Sequence, residues 1–154
     1  EIELDPETGH VEIIDYLGIA DVGQVLHPQG LDAQIRGAAV MGFGLAALER
    51  YVYDPAYGRP NARGLYQSKP PTYLDVPANL DSLAVKGAYD KQNPVGAKGV
   101  GEPIMGAASS AYLSAVAEAM DGQLLNRVPI VADQIINAMA KQPQSHKILQ
   151  TNCQ

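Results

Sequence analysis

Cysteine is almost absent from this chain: Cys153, second from the end of 154 residues, is the only one. A single thiol closes no internal disulfide, and it supplies neither an iron–sulfur cluster nor a cysteine-based zinc site. The three histidines, His10, His27 and His146, are scattered without the i, i+4 spacing of paired metal ligands and read as surface or turn residues. Basic residues are also scarce. Eleven Lys and Arg against seventeen Asp and Glu give a formal charge of −6 and a pI near 4.9. With no Lys/Arg cluster anywhere, an electrostatic grip on nucleic acid is excluded. No apolar run approaches the roughly 18 residues of a membrane span. The opening Glu1-Ile2-Glu3-Leu4-Asp5 is strand-like, unlike a basic-then-apolar signal peptide. It also lacks an initiator methionine, as expected of a processed or partial chain. Cytoplasm is the default compartment.

Charged residues make up only 18%, below the roughly 25% of an average soluble protein. Part of the surface is therefore expected to face other protein. Hydrophobic residues reach 46%, enough for a core, and the length suits one domain. That domain is expected over residues 1–140, followed by a polar tail over 141–154.

Two strands, residues 1–4 and 11–16, flank the turn-forming Asp5-Pro6-Glu7-Thr8-Gly9 and predict a hairpin. The second strand is expected to run on to Gly23 and to meet a loop ending near His27-Pro28. From Leu31 to about Arg50 the apolar spacing turns helical, with Ile35, Ala38, Ala39, Gly42, Phe43, Leu45, Ala46 and Leu48 on one broad face. Glycines within it cost about 1 kcal/mol each relative to alanine, an expense that close packing against another backbone would offset. The string Gly42-Phe43-Gly44-Leu45-Ala46-Ala47 formally matches a dinucleotide glycine motif, but it follows no strand and is rejected as a nucleotide site.

A short strand over 51–53, a long turn over 54–61 and a proline-punctuated extended segment over 64–77 come next. That segment reads either as an access path or as a covering loop. A strand is predicted over 83–89 and a helix over 104–120, with Ile104, Ala107, Ala108, Ala111, Ala115, Val116 and Ala119 as its buried stripe. A last helix is predicted over 129–139, with Ile130, Ile135, Ile136 and Met139 inward. No internal repeat or domain boundary interrupts this order. The class is α+β, with a hairpin and short strands packed on two longer helices and one short C-terminal helix.

The most informative stretch is Pro94-Val95-Gly96-Ala97-Lys98-Gly99-Val100-Gly101-Glu102-Pro103. Its glycines keep the backbone free of Cβ atoms, so that a bulky ligand can approach the main chain. Pro103 favours a helix start. Glu102 is thereby placed at or just before a helix N-terminus, where unpaired N–H groups and the helix dipole favour an ionised carboxylate. A general base must be ionised. An acidic residue at that position can equally serve only to complement the dipole.

The string Gly96-Ala97-Lys98-Gly99-Val100-Gly101-Glu102-Pro103 resembles the active-site loop of the molybdenum hydroxylases, the xanthine dehydrogenase and aldehyde oxidase family. Agreement in order and spacing extends to Asp5-Pro6-Glu7-Thr8-Gly9, to Asp21-Val22-Gly23 with His27-Pro28, to Gln34-Ile35-Arg36-Gly37 leading into Met41-Gly42-Phe43-Gly44-Leu45-Ala46, and to Thr72-Tyr73-Leu74-Asp75-Val76-Pro77. It covers residues 1 to about 140.

The resemblance implies that Glu102 is the base, taking a proton from a metal-bound oxygen that attacks carbon of an aldehyde or N-heterocycle. It implies that Gln34 approaches the pterin of a molybdenum–molybdopterin cofactor, in a dinucleotide form shared with a partner chain. Lys98, Gly99, Val100 and Gly101 would offer main-chain contacts nearby. A local role for Gln34, satisfying backbone near a helix start, stands beside that one. The family's molybdenum subunit is several hundred residues long, so this chain resembles only its C-terminal piece, either a natural split subunit or a fragment. The implied partners are the remaining molybdenum-subunit chain, an iron–sulfur subunit carrying [2Fe-2S] and a flavin subunit carrying FAD. Two other readings compete. One is a non-catalytic assembly or scaffold subunit, against which the intact carboxylate argues. The other is a phosphate-cradling nucleotide module, weakened by the lack of a Gly-Lys-Ser/Thr ending.

Overall fold

The N-terminal hairpin forms as the turn residues dictate. In the computed structural model, which describes residues 1–144, β1 (Ile2–Leu4) pairs antiparallel with β2 (Val11–Ile13). Asp5 closes the turn by accepting from the Glu7 amide at 2.9 Å and the Thr8 hydroxyl at 2.7 Å. Most of the expected polar tail, with His146 and Cys153, lies outside the described residues.

The predicted second strand breaks in two. In this register Ile2 faces Ile13, so the hairpin partner runs out at Glu1, whose carbonyl accepts from the Ile14 and Asp15 amides. The chain then turns into β3 (Asp15–Ala20), which pairs in parallel with β4 (Asn79–Ala84). β4 was expected at 83–89. Its sequence Asn-Leu-Asp-Ser-Leu-Ala is poor in strand formers, and tertiary pairing overrides that preference.

Helix α1 (Pro28–Phe43) begins three residues before the periodicity suggests. His27 is its cap, its Nδ1 accepting from the Gly30 amide at 2.7 Å, and Pro28 opens the first turn. The predicted continuation to Arg50 is a π-helical turn, Gly44–Leu48. Residues 51–53 form no strand, only an isolated bridge between Tyr53 and Pro60. The segment expected to be extended folds into two short helical turns, α2 (Leu65–Ser68) and Tyr73–Asp75, the latter held by a Thr72/Asp75 capping box. Helices α3 (Glu102–Ala119) and α4 (Ala132–Met139) complete the α+β architecture.

Helices α1 and α3 pack face to face at the centre, the hairpin lies against α3, β4 lies against α1, and β3 touches both helices. Gly42 is the point of closest approach: a Cβ there would lie 2.5 Å from the Met105 carbonyl oxygen. The expected offset for a mid-helix glycine is real at this position. The main core joins Ala39, Phe43, Ala108, Tyr112, Val116 and Ile135, with Tyr16 set edge-on to Phe43 at 5.1 Å. A second cluster gathers Val22, Ile35, Ala38 and Ile104 beneath the glycine-rich loop.

Two predicted stripes need correction. In α3 the buried residues are Ile104, Ala108, Ser109, Tyr112, Val116 and Ala117, whereas Ala107, Ala111 and Ala119 are exposed. In α4 Ile135 is buried, but Gln134 and Ala138 join it, while Ile136 and Met139 face outward. Of the residues expected inward on the first long helix, Leu45, which falls in the π-helical turn, is exposed. Among the described residues no helix is long and apolar enough to cross a membrane.

Candidate functional site

The glycine-rich loop is anchored before it reaches α3. The Gly96 carbonyl accepts from the Gln24 amide at 2.6 Å and the Asp90 amide at 2.8 Å. The Asn93 side chain donates to Asp90 at 2.7 Å and to the Ala97 carbonyl at 2.8 Å. Gly23 and Ala97 form an antiparallel bridge, and the Lys98 amide donates to the Val22 carbonyl at 2.8 Å. Residues 96–98 are thus laid along the strand-like path that leaves β3.

The Lys98 ammonium pairs with Asp21 at 2.5 Å. This hydrogen bond, helped by the Gly23 amide, holds the Asp21 carboxyl below its ordinary range. Asp21 and the capping role of His27 are the features residue-by-residue reading missed. The Asp-x-Gly spacing signals a turn, and the Gly23 amide does donate to Asp21 at 3.0 Å. Nothing local indicates the ion pair, because its partners stand 77 positions apart.

Beyond Lys98 the loop opens. Gly99 is exposed, with nothing within 4 Å of where its Cβ would lie. Among the described residues the Gly99, Val100 and Gly101 amides make no hydrogen bond. Gly101 then takes φ +126°, ψ −86°, a conformation open to glycine. Its carbonyl accepts from the Met105 amide at 3.0 Å, closing the first turn of α3. Glu102 is the first residue of that helix and is exposed, as its sequence position implied.

Gln34 reaches the same place from α1. Its Oε1 lies 3.8 Å from the position a Cβ would occupy on Gly101. It is exposed, and its amide makes no hydrogen bond among the described residues, so the local backbone role finds no support. Gln34, Lys98 and Val100 line one cavity of about 200 Å³ with Val22, His27 and Leu31. Gly99, Gly101 and Glu102 are not part of its lining. The 71–78 segment borders a different cavity of about 470 Å³, with Phe43 and Tyr112, that contains none of the candidate residues. Among the described residues no group of three metal-binding side chains occurs.

Residues 1–77 match the family model of the molybdopterin cofactor-binding domain. The chain belongs to that family. The chain is 36% identical over 138 residues to the 6-hydroxypseudooxynicotine dehydrogenase complex subunit gamma of Paenarthrobacter nicotinovorans, covering 89% of the chain and 17% of the relative. It is 32% identical over 113 residues to the xanthine dehydrogenase of Drosophila pseudoobscura pseudoobscura, covering 73% and 8%. Among solved structures it superposes with a TM-score of 0.80 on quinoline 2-oxidoreductase from Pseudomonas putida 86, at 26% identity, covering 92% of the chain and 18% of that structure. The chain thus spans about a sixth or less of the length of these relatives. Other relatives are named as a probable xanthine dehydrogenase subunit and an aldehyde oxidoreductase molybdenum-binding subunit.

The local chemistry fits the pterin of such a cofactor. A pterin edge alternates donors and acceptors, and an amide side chain with neither used can meet both. The unpaired amides of residues 99–101 add donors along a backbone in which Gly99 and Gly101 carry no side chain. Because the molybdopterin family model ends at residue 77, it includes Gln34 but not the loop or Glu102.

Proposed function

We propose that this chain contributes the general base Glu102 and part of the pterin site to a molybdenum hydroxylase that oxidises an aldehyde or N-heterocycle with oxygen from water. The observation that carries this reading is the meeting of Gln34 with the glycine loop beside the start of α3. The free amide of Gln34 and the first residue of α3, Glu102, both stand at the end of an open stretch of backbone. The molybdopterin, when bound, supplies a redox-active metal able to accept an electron pair. Gln34 would hold the pterin edge through its amide, and the amides of Gly99, Val100 and Gly101 would donate to the cofactor's oxygens. Lys98 contributes mainly by posture, since its amide and ammonium are already engaged by Val22 and Asp21. Glu102 would accept a proton at its carboxylate, from its place at the first residue of α3.

In this reading the cofactor carries a dinucleotide and is shared with the remaining molybdenum-subunit polypeptide. Iron–sulfur and flavin subunits pass electrons onward, and the assembly works in the cytoplasm. The test is Glu102→Gln in the assembled enzyme, with molybdenum measured by elemental mass spectrometry alongside turnover. Turnover should fall by about 10²-fold or more while molybdenum stays. Full turnover in the variant, or an assembly without molybdenum, would instead favour a scaffold subunit.

A further inference from the structure

The cavity bordered by the 71–78 segment contains a buried polar group with nothing to bind. Its volume of about 470 Å³ falls within the roughly 300–1,000 Å³ of small-molecule pockets. Phe43 of α1 and Tyr112 of α3 both line it. The 71–78 wall is fixed in place: Pro71 packs so closely on Gly44 that a Cβ there would lie 2.5 Å from the Pro71 Cδ, and the Thr72 amide and hydroxyl both donate to Asp75 Oδ2 at 2.7 Å.

Tyr112 is only 6% exposed, yet its hydroxyl makes no hydrogen bond among the described residues. A buried tyrosine hydroxyl usually finds a partner, and lacking one costs about 1–3 kcal/mol. Nor is this hydroxyl sealed in protein, since the enclosed and unpaired side-chain atoms of the described residues belong to Gln134 and Gln144. It therefore keeps an opening, and the cavity is the space that Tyr112 borders. Burial pushes the phenol up to about 12, so the group remains an O–H donor at neutral pH.

The rest of the lining is apolar apart from His10, Glu12 and Asp75. No Lys or Arg borders the cavity. Glu12 is exposed and has no side-chain partner among the described residues, and Asp75 Oδ1 is likewise free. Glu3 stands directly opposite Glu12 across the hairpin, and like charges so placed repel. A cation beside Glu12 would relieve that repulsion.

We propose that this cavity is a binding site for a small ring-bearing amine, whose ring contacts Phe43, whose ring substituent accepts a hydrogen bond from Tyr112, and whose ammonium pairs with Glu12. The site includes neither Gln34, the glycine loop nor Glu102, and it does not depend on the functional reading above.

The test is calorimetric titration of the assembled enzyme with 4-methoxyphenethylamine, which is neither an aldehyde nor an N-heterocycle. Saturable one-site binding is expected. The carboxylate analogue 3-(4-methoxyphenyl)propionate should bind at least about tenfold more weakly. Tyr112→Phe keeps the ring and removes the donor, so amine affinity should fall about fivefold. Glu12→Gln, at an exposed position that leaves the fold intact, should narrow the gap between amine and carboxylate. Hydrogen exchange read by mass spectrometry should slow across 71–78 when the amine binds. Absence of saturable binding, affinity indifferent to both substitutions, or protection at residues 96–102 in place of 71–78 would overturn the proposal. None of these readouts involves turnover or molybdenum content, so failure of the functional reading appears separately.

Discussion

Replacing Gly42 by alanine puts a methyl group where α1 and α3 touch. The new Cβ would lie 2.5 Å from the Met105 carbonyl oxygen, 2.9 Å from the Ala108 Cβ and 3.0 Å from the Ser109 amide nitrogen. None of these atoms can swing aside, because two are helix backbone and the third is the first side-chain carbon. Relief requires the helices to separate. Overpacking of this kind costs about 3 kcal/mol, and replacing a mid-helix glycine returns about 1 kcal/mol, leaving a net loss of about 2 kcal/mol. With a urea slope of about 2 kcal/mol per molar, the unfolding midpoint should drop by about 1 M. Gly37, on the same helix, has nothing within 4 Å of its Cβ position. Gly37→Ala should therefore gain about 1 kcal/mol and raise the midpoint. Urea titrations followed by circular dichroism measure both. A Gly42→Ala midpoint at or above wild type would refute the claim that the helix contact demands glycine there.

Two further outcomes are expected. Gly101→Ala forces an L-residue into φ +126°, a strain of about 1–3 kcal/mol; the melting temperature should fall by about 3 °C for each kcal/mol, and an unchanged melt would show that the turn into α3 tolerates a side chain. For the ion pair, Asp21 is held below its ordinary value of 3.8, first by the Lys98 hydrogen bond. A depressed carboxylate contributes stability that is present above pH 3.8 and lost as pH falls through the folded value. An NMR titration should place the Asp21 midpoint below 3.8, and Lys98→Gln should raise it; a midpoint indifferent to Lys98→Gln would mean that the pair does not persist in solution.

The candidate site was legible because its signals are local. A proline after Glu102 and a glycine before it are enough to put a carboxylate at a helix start, and the order of the surrounding motifs carried the family. The hairpin turn and the two long helices were likewise written in short-range chemistry. The helix faces were less so. In an alanine-rich helix such as α3, small residues stand on every side and polarity contrast is weak, so the buried face is set by where Tyr112 and Val116 find partners. Similarly, α4 buries Gln134 in place of Ile136.

What the sequence by itself determined, then, is a set of local conformations and their order: a tight hairpin, a long first helix, an open glycine loop and a carboxylate at the head of α3. Only the tertiary structure decided that Gln34 meets that loop from another helix, that Lys98 is engaged by Asp21, and that the second predicted strand divides between two sheets. The physical reason is separation along the chain. Residues 34 and 101, or 21 and 98, are brought together by the packing of α1 on α3 and of the loop along β3, and no periodicity or turn propensity encodes such distances.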